Sequence, residues 1–174
     1  LLAGQVYVHQ FKLNAKAAFA GDIWQWHQDF GTWHRDDAMP EPLAMNLAVF
    51  LDEVNEFNGP LYLIPKSHKN GVLKAGHDTL TTSYPLWTLD ENQIRKLVEH
   101  GGIIAPKGAA GTGFFFHSCL VHASPPNISP WDRLIVYLSY NNVKNYIRQF
   151  KRPEWIAHRD FTPLEIGEDN SLLE

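Results

Sequence analysis

The chain of 174 residues holds a single cysteine, Cys119. No internal disulfide can form, so a reducing, cytoplasmic setting is the expectation. No apolar run approaches the roughly 18–20 residues needed to cross a membrane. There is no excess of base either: 15 Lys and Arg stand against 19 Asp and Glu, a formal charge of −4. A protein that tracks nucleic-acid phosphates needs the opposite balance. Neither nucleic acid nor a membrane is therefore expected as a partner. The opening "LLAGQVYVHQFKLN" has no basic region ahead of its apolar residues and does not read as a signal peptide. It starts on Leu and enters a strand pattern at once, which reads as the remainder of a longer protein. Repeats and low-complexity tracts are missing too.

What is present is apolar and aromatic. Hydrophobic residues make up 44% of the chain and aromatics 13%. That suffices for one domain, residues 1–174, with a core of its own. The pattern is short β-runs between Gly, Pro and Asn. Strands are expected at 6–13, 23–30, 44–54, 61–64, 103–106, 114–117, 120–123 and 134–140. Residues 32–42 and 66–87 read as loops. Residues 88–91, "TLDE", match a capping box, and Ile94, Leu97 and Val98 recur at helical spacing until Gly101-Gly102. The expected fold is mainly β, a double-stranded β-helix or jelly roll with one or two helices.

The stretch "WQWHQDF", residues 24–30, sets a carboxylate inside an aromatic run. A buried, unpaired Asp29 would cost several kcal/mol, so it needs a partner. On a strand, residues i and i+2 share a face, so His27 and Asp29 can reach one point. An imidazole and a carboxylate make two thirds of a facial triad that leaves positions open on Fe(II). The third ligand is open among His68, His77, His100, His117, His122 and His158. His122 opens "HAS", and Arg133 opens the following strand. A ligand and an Arg facing one cavity would suit a dicarboxylate, chelated at one end and held by the guanidinium fork at the other.

"WHQDFGTWHRDDAMP", "FNGPLYLIPKSHKNGVL" and "VHASPPNISPWDRLIVYLSYN" resemble the phytanoyl-CoA dioxygenase family. The likeness is strongest to its ectoine-hydroxylase-like branch and to hydroxylases of free amino acids. It implies a jelly roll that uses Fe(II), O2 and 2-oxoglutarate to hydroxylate a small substrate, giving succinate and CO2. It implies His27, Asp29 and His122 as iron ligands. It places Arg133, Ser124 and Asn14 on 2-oxoglutarate, and Trp33 and Arg152 on the substrate. Halogenases of the family lack the carboxylate, so Asp29 favours hydroxylation. Members usually carry a helical N-terminal region that this chain lacks. An acyl-CoA substrate, a cupin-like binding protein without turnover, and a metal-dependent isomerase or hydrolase are the other readings. Arg133 separates the hydroxylase from the last two, because a dicarboxylate clamp serves neither.

The remaining candidates have plainer readings. His117 follows three Phe residues and suits packing. His34, His9 and His68 read as loop, strand-edge and turn residues, with His9 a candidate to face the pocket. Asp36 and Asp37 read as a solvated loop. Gln25 and Gln28 could orient ligands. Trp24 and Trp26 suit the core, and Cys119 an inert buried thiol.

Overall fold

A computed structural model describes residues 2–81 and 85–168. Among these, nine strands form two antiparallel sheets. They are β1 (Val6–Lys16), β2 (Trp24–His27), β3 (Ala44–Phe50), β4 (Tyr62–Leu63), β5 (Gly76–Asp78), β6 (Leu86–Thr88), β7 (Gly113–His117), β8 (His122–Ser124) and β9 (Arg133–Asn142). One sheet has four strands in the order β1-β9-β3-β7. The other has five, in the order β4-β8-β2-β6-β5. The fold is mainly β, a jelly roll, as expected.

The four-stranded sheet turns one face to the core. Ala48, Phe50, Phe116 and Ile135 bury there against Leu61, Leu63, Val54 and Leu120. Each of these side chains larger than Ala48 contributes about 1.5–3 kcal/mol by leaving water. In β3 the burial alternates: Ala44, Asn46, Ala48 and Phe50 are buried, and Met45, Leu47 and Val49 only half so. The strand was expected to run to Val54. It stops at Phe50, and Val54 makes an isolated bridge to Gly108.

Strand β1 carries a bulge between Val8 and Gln10. The extra residue turns His9 and Gln10 inward together, and both are buried. Beyond the bulge the inward face is Lys12, Asn14 and Lys16, while Phe11, Leu13 and Ala15 face out.

The expected strand over 23–30 ends at His27. Gln28 keeps extended angles, and Asp29 opens helix α1 (Asp29–Asp37). The switch suits the residues, because a carboxylate in the first turn faces the positive end of the helix dipole. Phe30, Trp33 and Asp37 then fall on one buried face at helical spacing. Residues 32–42 are thus not a loop throughout. The helix ends at Ala38 in the left-handed region, whose N–H returns to the Trp33 carbonyl. Phe30, Trp33 and Met39 anchor α1 against Ala44, Cys119, Ile147 and Ala157.

Helix α2 (Glu91–Gly101) lies where expected, but its capping box is Asp90 with Gln93, two residues later than the Thr88–Glu91 reading. Asp90 is the better cap acceptor in place, and Thr88 is held in β6. Residues 66–87 contain a 3-10 turn (Ser67–Asn70), β5 and part of β6, with 82–84 outside the described residues. The expected strand at 103–106 reduces to a single bridge between Ile104 and Leu63. Among the described residues no helix is long and apolar enough to cross a membrane.

Candidate metal centre

His27 ends β2 and His122 opens β8, and the two are register partners. Their ring centroids lie 4.1 Å apart. Asp29 joins them from the first turn of α1. His27 Nε2 lies 3.7 Å from Asp29 Oδ1, and His122 Nε2 lies 3.6 Å from Asp29 Oδ2. One donor atom from each residue fits within 4.8 Å of the others. His27 and Asp29 do converge, but through a strand-to-helix turn rather than along one strand face.

Both imidazoles are oriented by the main chain. His27 Nδ1 donates to the Gln25 carbonyl at 2.6 Å, and His122 Nδ1 to the Leu120 carbonyl at 2.9 Å. A carbonyl only accepts, so each Nδ1 carries the proton and each Nε2 offers its lone pair to the centre. Burial, with His122 alongside, pushes the His27 ring down to about 3. It therefore stands neutral at ordinary pH, as a metal ligand must.

Asp29 is anchored by Asn46, whose Nδ2 donates to Oδ2 at 2.7 Å. Asn46 in turn accepts from the Ser139 hydroxyl at 2.5 Å. Lys12 Nζ stands 3.7 Å from Asp29 Oδ1. Burial would push this carboxyl up, but Lys12, the two histidines and Asn46 outweigh it and hold it well below the usual range. The arrangement is two imidazole nitrogens and one carboxylate on one side of a point, the donor set of a mononuclear Fe(II) site.

A cavity opens beside the triad, and β1 lines it. Lys12 marks the level of Asp29, so Gln10 and Asn14 lie one pleat to either side. On the Asn14 side lies Arg133, 1% exposed. Its Nη2 donates to Asn14 Oδ1 at 2.5 Å, while Nε and Nη1 are buried with no hydrogen-bond partner among the described residues. Tyr137 lies close enough to interact with the guanidinium, and burial raises its hydroxyl pKa. Arg133 does not itself line the cavity, but Asn14, Tyr137 and Ser124 do. The orphaned N–H groups fit a carboxylate reaching past them.

Lys16 is the register partner of Arg133 and is equally buried. Its Nζ donates to the carbonyls of Asp22 at 2.7 Å, of Ser124 at 3.5 Å and of Pro125. Burial and the Arg133 charge push its pKa down to about 7. Sequence reading missed Lys16, Gln10 and Thr32. The signal was there in part: Gln10, Lys12, Asn14 and Lys16 are polar along a strand whose other face is apolar.

On the Gln10 side, Gln10 Oε1 and Thr32 Oγ1 are buried without hydrogen-bond partners among the described residues. Trp33 is 1% exposed and forms part of this wall. His9 does not line the cavity. It packs edge-on against Trp33 with centroids 4.8 Å apart. Arg152 lines the cavity, yet its guanidinium forks onto Asp37, Nε to Oδ1 at 2.9 Å and Nη2 to Oδ2. Asp37 is fully buried, which corrects the solvated-loop expectation for this residue. Asp36 accepts from Trp87 Nε1 at 3.0 Å.

His117 faces away from the triad. Strand parity puts it outward with Phe115, where it packs on His68 at 5.3 Å and accepts from the Cys119 N–H. Gln28 clamps the turn before Asp29, donating to the Gly71 and Cys119 carbonyls at 2.8 Å each. Trp26 stacks on Tyr62, whereas Trp24 lines the cavity. The Cys119 thiol is buried and pushed up to about 11, an unreactive state.

Residues 1–135 match the family model described as phytanoyl-CoA dioxygenase (PhyH). L-Proline trans-4-hydroxylase of Streptomyces griseoviridis is 37% identical over 174 residues, covering 94% of this chain and 65% of its own length. Ectoine dioxygenase of Bordetella parapertussis is 39% identical over 171 residues, covering 91% and 55%. The chain thus spans between half and two thirds of these curated relatives. A crystal structure of EctD from S. alaskensis with 2-oxoglutarate and 5-hydroxyectoine superposes with a TM-score of 0.77 at 36% identity, over 91% of this chain and 54% of that one. With a triad, a jelly roll and this breadth of match, the chain belongs to the phytanoyl-CoA dioxygenase family.

Proposed function

We propose that this chain is the catalytic domain of an Fe(II)- and 2-oxoglutarate-dependent hydroxylase acting on a small zwitterion. His27, Asp29 and His122 would hold the iron. Arg133, Asn14 and Ser124, joined by Lys16, would hold the distal carboxylate of 2-oxoglutarate. Iron with 2-oxoglutarate and O2 supplies the oxidising power to hydroxylate an unactivated carbon, with succinate and CO2 as coproducts.

The observation that carries the reading is the pairing of two features. A His, Asp, His donor set lies beside a buried guanidinium with two N–H groups unused among the described residues. Either alone has other uses. Together they match a chelating keto acid whose far end is a carboxylate. Asp29 keeps the third protein ligand in place, which favours hydroxylation over halogenation.

The substrate side offers Gln10 Oε1 and Thr32 Oγ1, polar atoms unused among the described residues, beside the Trp33 indole. An ammonium or iminium N–H would satisfy Gln10, and the ring would lie against Trp33. Proline and ectoine, named in the relatives, are small cyclic zwitterions of that kind. Arg152 would meet a substrate carboxylate while still braced by Asp37. The aromatic wall keeps water from the reacting carbon.

Anaerobic titration with Fe(II) and then 2-oxoglutarate tests the reading, followed by visible absorbance. Air with L-proline or ectoine should then give succinate and hydroxylated product in equal amounts. A chain that binds Fe(II) with no response to 2-oxoglutarate would leave a metal protein and sink the hydroxylase.

A further inference from the structure

Three loops meet at one end of the sandwich, where β1 and β3 finish and β9 begins. They are residues 17–23, 51–60 and 125–132. Two buried asparagines staple them into one body. Asn127, 1% exposed, donates to the carbonyls of Ala17 and Trp131 at 3.1 and 2.7 Å, and its Oδ1 accepts from Ser129. Asn58, fully buried, donates to the carbonyls of Glu53 at 2.8 Å and Asp132 at 3.4 Å. The N–H groups of Ala18 and Phe19 close the join, onto the Asp132 carboxylate and the Ser129 carbonyl.

This stapled body shows apolar side chains to water. Phe19, Phe57, Ile128 and Trp131 are 73%, 59%, 82% and 54% exposed. Phe19 holds a φ of 58°, where a bulky residue is rare, and its ring gains no burial in return. Exposed apolar residues are ordinarily scattered singly, and a group held together on a fixed platform marks an interaction surface. The same three loops hold five carboxylates, Asp22, Asp52, Glu53, Glu56 and Asp132, and no Lys, Arg or His. Lys107 stands at the rim, 3.5 Å from Glu56. The rings of Phe57 and Trp131 lie 6.4 Å apart, and the cleft they share is walled by four of the acids.

We propose that this end of the sandwich docks a separate basic polypeptide, anchored by an arginine in the Phe57–Trp131 cleft and framed by apolar residues. A guanidinium stacks on an aromatic face and forks onto a carboxylate, and the cleft offers both. Charge selects among occupants. A second copy meeting the same patch would set five carboxylates against five. Anionic lipid and nucleic acid are repelled in the same way. Loops already fixed by Asn58 and Asn127 lose little freedom on binding, and Trp and Arg are the side chains that dominate interface energies. His27, Asp29 and His122 take no part, so the proposal stands apart from the hydroxylase reading.

The test uses the complete natural polypeptide and three short fluorescent peptides, read by anisotropy. One combines Arg with Leu, the second has Lys for each Arg, and the third has Glu for each Arg. The Arg peptide should bind, more weakly as salt rises. It should bind at least ~10-fold more weakly to Trp131→Ala, and to Glu53→Gln combined with Glu56→Gln, a difference of about 1.4 kcal/mol. The Lys peptide should bind less tightly and the Glu peptide not at all. Co(II) binding at the triad reports that a variant is folded, and Phe57→Ala replaces Trp131→Ala if that one is not. Equal affinity for the native protein and the variants, or for the Arg and Lys peptides, overturns the proposal. So does a complete polypeptide that binds none of the three, which would place its own chain over the patch. Self-association in light scattering that Trp131→Ala abolishes would seat a second copy there and overturn it as well.

Discussion

Asn46 on β3 donates to the Asp29 carboxylate on α1 at 2.7 Å, tying one sheet to the turn that leaves the other. Of the three convergent side chains, Asp29 is the one not aimed by a main-chain carbonyl. Its direction rests on this bond and on Ser139 behind it.

Asn46→Leu is therefore expected to weaken Fe(II) binding roughly 10–100-fold, the usual cost of losing an outer partner of a metal ligand. Fe(II) or Co(II) titration checks it. Ser139→Ala should give a smaller loss in the same direction.

Arg133→Lys keeps the charge but loses the planar fork. Affinity for 2-oxoglutarate should fall by at least about 10-fold, and by more in Arg133→Ala, since charge-assisted pairs carry about 2–5 kcal/mol when truncated. Metal affinity should hold, which separates this outcome from misfolding.

Lys16 puts a titrating cation beside Arg133. Below about 7 it is charged and favours a bound carboxylate. Affinity for 2-oxoglutarate should decline as pH rises from there, and Lys16→Met should flatten the decline. In the ligand-free chain the sign reverses. The buried cation destabilises the fold below about 7, and stability rises as pH climbs toward 10.5. Thermal melts of the two chains across that window report it.

His9 is buried and lowered to about 3, by burial first and by Arg152 second. Between 6.5 and 3 the unfolded chain takes up a proton that the native His9 refuses. Stability falls with pH through that window, by at most about 1.4 kcal/mol per pH unit from this group. His9→Gln should show a shallower acid loss in urea melts, with the contribution of His27 unchanged in both proteins.

Asp37→Asn leaves the Arg152 guanidinium facing a neutral, buried amide. The expected loss is about 3 kcal/mol of stability, as for other broken buried pairs. Asp37→Ala with Arg152→Ala should lose less than Asp37→Asn alone. If the double variant were the worse, the pair would contribute more than it costs to bury.

The triad was legible because His27 and Asp29 are neighbours in sequence and the block around His122 is distinctive. The turn from strand to helix at Gln28 was not, since Trp24 to Phe30 is apolar enough to read as one strand. Asp37 sat in a charged run that looks solvated, and its partner Arg152 lies 115 residues on. Gln10 and Lys16 were hidden by a habit of reading, in which polar residues on a strand are taken to face water. On β1 they face inward, and the apolar residues face out.

The two histidines owe their aim to peptide carbonyls, those of Gln25 and Leu120. A main-chain oxygen is present whatever residue stands there. The tautomers of His27 and His122 are thus indifferent to side-chain replacement at both positions, and mutation can disturb them only by moving the backbone. The aim of this histidine pair is written partly in a script that substitution does not edit.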